Sequence, residues 1–592
     1  MRALQRRPAG LAIAVLAVGL AGEPIVAAQS TAPKGMEEAL KALPMDAART
    51  SIEAAGLTRS GRRLWSVEPA GVPETSRPRM VLLGGLDGSP ESTAAVLRVL
   101  QWWFTDREAA TLRNDWQLAA IPCARPEFCD GATGSPDTPL TFPPAGGFFD
   151  GKLEPTPHYI WRWTTMQAPT VVVDLRVGWP LRWEANALAS SLVDHAEQAP
   201  AGSLAAALGV PGTGAAWSAA VPALQLTVRE SASPDAIRDL LHRAAGAVSP
   251  LRTALVGRQA RAPLDVARLL APRYPSQPIM SYIPALSWSG ALRLARMTGE
   301  VRFRDKPLAD MAPFLSGKTP AIAEPYVLTS LAGHLAFADL GVMDDNGDAD
   351  ALAQKAADFI LPQGDGTREQ GPGAGEIVRF PRAWTDDMFM ATSVLARVAA
   401  RTKDDRYATA AGRLLTTYAT DLQRPDGLFI HAREGAHTWG RGNGFAAFGL
   451  MEALTYLPST WGDRARVLQS YRALMNGLIG HQAPDGMWRQ VVDEPGSYRE
   501  FTVTAMVITA MARGVRLGWL DALTYRPVVD RAWRGLLARI AEDGALMDVC
   551  TGTGSGPTKE YYLNRAGLTG PDDRGGAMGL TAALEMHELM TR

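Results

Sequence analysis

From about residue 265 to the end, apolar residues recur at three-and-four spacing in one segment after another. The spacing predicts helices over 282–297, 325–340, 351–360, 386–401, 407–422, 444–456, 464–481, 502–517, 528–540 and 577–590. Strand-type alternation is nearly absent from this half. Between about 35 and 260 the pattern is mixed: 80–83 and 170–175 are short β-rich apolar runs of the buried-strand kind, while 93–104 and 235–245 carry helical spacing. A stretch over 126–157, dense in Pro, Gly, Asp and Thr, predicts a long surface excursion between them.

Helix pairs recurring every fifty residues or so, joined by loops rich in Gly, Asp, Pro and Trp, fit a closed ring of hairpins better than a bundle, because stacked hairpins bury both faces. The expected architecture is therefore multidomain: an α/β domain over 35–260, then an all-α toroid over 265–592 whose loops gather at one mouth. A chain of 592 residues is long enough for two such cores.

Charge changes the picture little. Lys plus Arg number 60 and Asp plus Glu 61, so no net field steers the protein to nucleic acid or an anionic membrane, and an acidic ligand would need local arginines. Residues 1–28 read as a signal peptide, with Arg2, Arg6 and Arg7 before an apolar run over 11–20 and a small-residue site at Val26, Ala27 and Ala28. That predicts a periplasmic or secreted protein with no membrane span after its removal. Cys123 and Cys129 stand close enough to close a small disulfide in an oxidising compartment, leaving Cys550 single. No cysteine pair has zinc-site spacing, and no metal or cofactor is expected. The sequence carries no signal of oligomeric state.

Candidate chemistry concentrates in two stretches. In the first, Trp384-Thr385-Asp386-Asp387-Met388-Phe389, two carboxylates stand at a helix start beside large aromatics. Adjacent helical positions point about 100° apart, so only one faces the ring's centre. An Asp there either caps the helix or, desolvated by Trp384 and Phe389, keeps a proton and serves as a general acid. In the second, Trp439-Gly440-Arg441-Gly442-Asn443-Gly444, Arg441 lies between glycines that let its backbone approach a ligand while the guanidinium grips a carboxylate in two prongs. Trp439 offers a flat face for a sugar ring, Asn443 can bond hydroxyls, and the alternative is an arginine that neutralises a helix end or a neighbouring Asp. His431 is a candidate hydroxyl or carboxylate partner. The turns at Pro425-Asp426-Gly427 and Pro484-Asp485-Gly486 either deliver an aromatic to the mouth or seal a hairpin.

Over its C-terminal half the chain resembles the unsaturated glucuronyl and rhamnogalacturonyl hydrolases of glycoside hydrolase families 88 and 105. The resemblance rests on 384–390, 427–431, 439–444, 500–506, 513–520 and Tyr561-Tyr562-Leu563. It implies an (α/α)6 barrel and an exported glycoside hydrolase that removes a terminal 4,5-unsaturated uronic acid from lyase-generated oligosaccharides by hydration of the vinyl ether. Asp386 then corresponds to the catalytic acid, Trp384 and Trp439 to stacking aromatics, and Arg441 and His431 to substrate contacts, with an acidic oligosaccharide as the partner. Two departures stand out. A second functional Asp of the family has Thr329, Ser330 and His334 in its region here, and Asp572-Asp573-Arg574-Gly575 stands where a His is common. They support a second reading, a catalytically altered carbohydrate-binding protein.

The N-terminal half is faintly similar to a degenerate metallocarboxypeptidase: Gly84 to Glu91 follows a strand like the first zinc-ligand turn, with Asp87 where a His would be and Asp174 at the end of a later strand. Gly317-Lys318-Thr319 lacks the preceding glycine of a phosphate loop, and Asp344, Asn346 and Asp348 lack the glycine of a calcium loop.

Overall fold

A computed structural model describes residues 34–71, 77–129, 138–145, 154–212, 219–324, 326–361 and 383–591. The expected leader, and Pro325 in the second predicted helix, lie outside the described residues.

The α/β domain is built on a mixed sheet of eight strands, in the spatial order Thr50–Leu57, Arg63–Pro69, Gln117–Ile121, Arg79–Gly84, Val171–Val177, Ala223–Val228, Arg182–Ala185, Glu197–Gln198. The four central strands are parallel, and their apolar runs are buried on both faces, as parallel strands require. Alternation divides the strands between two cores. Met80 and Leu82 face helices Pro90–Thr105 and Ser233–Arg243, whereas Val81 and Leu83 face Thr156–Met166 and Pro250–Gln259. Cys123 and Cys129 are joined by a disulfide beside the strand-to-helix turn, and Cys550 is a buried free thiol.

The second half is an (α/α)6 toroid. Among the described residues its inner ring runs Tyr282–Thr298, then Leu328–Leu331 continuing through a short 3-10 turn into Leu335–Asp344, then Thr385–Thr402, Gly440–Tyr456, Phe501–Arg516 and Asp573–Met590, each packed on the next and the last on the first. The outer helices are Arg302–Leu315, Gly347–Ile360, Asp405–Leu422, Arg464–Ile479 and Ala522–Ala538. The sixth outer place is taken by Pro263–Leu270, which packs on the final inner helix, so the ring is closed by its own two ends. Burial follows this layering: every residue of the Gly440–Tyr456 helix from Gly440 to Leu454 is buried. Arg302–Leu315 was not expected from the sequence. Pro307 and Pro313 interrupt its periodicity, yet both are accommodated inside the helix.

The two Pro-Asp-Gly turns seal hairpins. Gly427 and Gly486 have φ of 91° and 89°, and a Cβ on either would lie 2.0 and 2.2 Å from the carbonyls of Ala473 and Arg531 on the adjacent outer helices. Gln423 and Gln482 repeat the same clamp: the side-chain amide of Gln423 donates to the carbonyls of Gly427 and Ser470, that of Gln482 to Gly486 and Val528. The aromatics that follow, Phe429 and Trp488, are fully buried and do not reach the mouth.

The two halves share a core. Tyr498, Ala538 and Met547 of the toroid pack in the same cluster as Leu57, Tyr159, Trp163, Leu251 and Leu255 of the α/β domain. Buried charges lock the seam. Glu68, 2% exposed, accepts bonds from Trp163 (2.7 Å) and Arg499 (3.0 Å), and Arg162 meets Asp548 at 2.9 Å.

Candidate active site

The inner helices begin at one end of the toroid, where the positive ends of their dipoles converge on a mouth suited to an anion. Its floor is aromatic: Tyr282 lies 5.6 Å from Phe445 and 6.3 Å from Phe389, and Phe389 lies 5.3 Å from Phe448. Phe389 therefore faces into this floor.

The two adjacent aspartates divide their roles. Asp387 accepts the backbone N–H of Trp384 (3.2 Å) and the hydroxyl of Tyr418 (2.7 Å), so it caps the helix and ties it to its outer partner. Asp386, one position earlier, is turned to the ring's centre, where Oδ2 lies 3.2 Å from Nε2 of His431; its side chain is 14% exposed. His431 is fully buried. Its Nδ1 lies 3.0 Å from the Tyr562 hydroxyl, and its ring sits between Trp384 (5.2 Å) and Trp439 (4.6 Å). Trp384 stays partly exposed, with its indole N–H donated to Glu434 at 2.9 Å. Asp386, His431 and Trp384 thus form one contiguous group at the mouth.

The second stretch is placed differently. Arg441 is 2% exposed. Its Nη1 donates to the carbonyl of Cys550 (2.7 Å), its Nη2 to that of Thr551 (2.6 Å), and the guanidinium lies over the Trp439 ring at 5.0 Å. So held, it shapes the loop that follows Cys550 and is not free to give two prongs to a ligand. Trp439 is 1% exposed and supports His431 from below, where no sugar ring can stack on it. Asn443 donates to the carbonyls of Phe429 and Trp439 and accepts the N–H of Phe429, which spends both of its donors, and its burial keeps the amide from a ligand. The flanking glycines serve protein packing as well: a Cβ on Gly440 would lie 2.5 Å from the Arg489 carbonyl, and one on Gly442 2.8 Å from Thr385. These residues form the wall behind the acid.

Sequence reasoning missed the segment Thr551-Gly552-Thr553-Gly554-Ser555-Gly556. It is pressed onto two tyrosines: the Tyr561 hydroxyl accepts the Gly554 N–H at 3.1 Å, and a Cβ on Gly556 would overlap the Tyr561 ring at 2.4 Å. A Cβ on Gly554 would lie 3.7 Å from Trp384, so the segment roofs the mouth. Alternating glycines just before Tyr561-Tyr562 were the available signal. At the second inner helix Thr329 and Ser330 are half-buried, while His334 is fully buried with Nδ1 on the Leu331 carbonyl; burial lowers it to about 4, so it stays neutral.

In the α/β domain Asp87 accepts the Ser89 N–H and the Ser92 hydroxyl, and Asp174 pairs with Arg176 at 2.8 Å. Among the described residues no three His, Cys, Asp or Glu side chains are grouped to hold a metal, and no helix is long and apolar enough to cross a membrane.

Residues 267–590, more than half of the chain, match Glycosyl Hydrolase Family 88, and the chain belongs to that family. An unsaturated rhamnogalacturonyl hydrolase, YesR, of Bacillus subtilis is 26% identical over 222 residues, covering 36% of this chain and 62% of that protein. An unsaturated 3S-rhamnoglycuronyl hydrolase of Formosa agariphila is 27% identical over 179 residues, 27% of this chain and 48% of that protein. The chain thus spans between about half and three-fifths of these curated relatives. A family 105 glycoside hydrolase of C. acetobutylicum of known structure is 20% identical, with a TM-score of 0.49, covering 55% of this chain and 99% of that one.

Proposed function

We propose that the protein is a glycoside hydrolase that releases a terminal 4,5-unsaturated uronic acid from oligosaccharides left by polysaccharide lyases. One observation carries the reading: in a family 88 chain, the aspartate freed from capping is the one that meets a buried histidine beside a partly exposed tryptophan at the toroid's mouth. The relatives named above act, by name, on unsaturated rhamnogalacturonyl and rhamnoglycuronyl substrates.

The chemistry follows from the placement. Asp386 gives its proton to C4 of the vinyl ether, and positive charge develops at C5 and the ring oxygen. Water adds at C5 and returns a proton to the carboxylate, which His431 keeps oriented. The C5 hemiketal then opens without further help by breaking its bond to the ring oxygen, and the hemiacetal left at C1 collapses to an aldehyde and expels the rest of the oligosaccharide as an alcohol. Because protonation is at carbon, the separation of two carboxylates that distinguishes retention from inversion has no part in it. Trp384, the partly exposed aromatic of the pair, stacks the sugar ring. Action outside the cytoplasm belongs to the same proposal, supported by the leader-type pattern over 1–28 and by the Cys123–Cys129 disulfide.

The test is Asp386→Asn. Loss of the ultraviolet absorbance of the conjugated double bond slows by about 10²–10⁴-fold, the usual worth of a general acid, with the unfolding transition unmoved. An unchanged rate rejects the assignment.

A further inference from the structure

The mouth needs a cation for the uronate's carboxylate, and Arg441 is already bound to two carbonyls. A second arginine is available. Arg574 stands in the first turn of the last inner helix and pairs with Asp572 through Nε (3.3 Å) and Nη2 (2.7 Å). Its Nη1 makes no hydrogen bond among the described residues, and a Cβ on Gly552 would lie 3.5 Å from it, so this edge of the guanidinium faces the glycine segment that roofs the site.

Tyr282, the first residue of the first inner helix, supplies an independent sign. It is only 7% exposed, and its hydroxyl makes no hydrogen bond among the described residues. The charges that act on this hydroxyl are those of Arg441, Asp386, Arg574 and Asp572, which places it among the proposed acid and both arginines. Burial, the largest influence, pushes it up to about 12, so it remains a neutral donor at any ordinary working pH.

We infer that Arg574 and Tyr282 form the carboxylate-binding pole of the mouth and hold the terminal uronate with its C4 toward Asp386. The inference rests on the function proposed above. Arg574 is the specificity residue: it selects a charged uronate over a neutral sugar, with Asp572 fixing its orientation and leaving its outer edge to the ligand.

Titration calorimetry tests this in an Asp386→Asn background, where the ligand survives, with an unsaturated galacturonyl-rhamnose disaccharide and its methyl ester as probes. The acid is expected to bind about 10- to 100-fold more tightly than the ester, the worth of a charge-assisted bond. Arg574→Gln removes that gap, Arg574→Lys restores part of it, and Tyr282→Phe weakens the acid alone. In the otherwise native protein Arg574→Gln raises KM with little change in kcat. Equal binding of acid and ester, no binding of the acid, or a gap that survives Arg574→Gln in a protein with native circular dichroism overturns the inference. The parent proposal fails separately, when the native protein leaves the double bond intact.

Discussion

The two ends of the toroid are both charged, and they are charged for different reasons. At the base, opposite the mouth, a cavity of about 430 Å³ is lined by Arg293, Arg397, Arg513 and Arg516 together with Asp339, Glu452, Glu585 and Glu588. Every charge there is answered within the protein: Glu585 meets Arg513 at 2.6 Å, Arg293 at 2.7 Å and Arg516 at 3.0 Å, while Arg397 holds Asp339 at 2.8 Å and also bonds Glu452. At the mouth there are fewer charges, and one edge of the Arg574 guanidinium makes no hydrogen bond among the described residues. The base holds the more numerous charges, and they are paired with one another. The base is a brace between inner helices and the mouth is a site.

Breaking one charge at each end sharpens the contrast. Glu585→Gln removes the carboxylate that three arginines share, though Arg513 keeps Glu452 and Arg293 and Arg516 keep Glu588, and is expected to cost about 3 kcal/mol of unfolding free energy, the lower end for breaking a buried pair. Residual catalysis by the folded fraction is expected to be native. A loss of kcat without a loss of stability in denaturant titration contradicts the division. Asp386→Asn is the mirror case, with activity lost and stability kept.

Glu68→Gln, at the seam, is expected to cost about 1–3 kcal/mol, because Arg499 keeps Asp485 at 3.4 Å. It should also raise KM modestly. Arg499 precedes Glu500, whose carboxylate fixes the Cys550 N–H, and Cys550 in turn gives its carbonyl to Arg441. An unchanged KM in a destabilised variant limits the seam to stability.

Acid separates the ends more gently. Burial by itself raises the Glu585 carboxyl, but Arg513 and Arg293 outweigh it and hold the group well below the usual carboxylate range. The pair's stabilisation is therefore complete above the unfolded value of about 4.5 and is lost as pH falls below it, where the unfolded chain takes up a proton that the folded one refuses. Stability measured from pH 6 down to about 3 should fall more steeply in the native protein than in Glu585→Gln. Parallel curves remove Glu585 from the account.

Periodicity made the toroid legible, because each inner helix must bury nearly all of its surface and writes that demand into its sequence. The proline-interrupted Arg302–Leu315 helix was not legible, since an outer helix tolerates a break that a pattern search reads as an end. At the site, Asp386, His431 and Trp384 could be singled out as carboxylate, imidazole and aromatic near helix starts. Arg441 and Asn443 looked alike in sequence, yet their partners, Cys550, Thr551 and Phe429, come from other loops whose approach no local pattern states. Arg574 and Tyr282 were invisible as a pair for the same reason: 292 residues separate the first inner helix from the last, and only ring closure brings them together.

The most direct measurement sets an oligosaccharide ended by a 4,5-unsaturated uronate beside its saturated counterpart, under the same enzyme, and follows release of the remaining sugar. Hydration initiated by Asp386 consumes the unsaturated compound and leaves the saturated one untouched. Cleavage of both at similar rates would place the chemistry at the anomeric carbon and contradict the account.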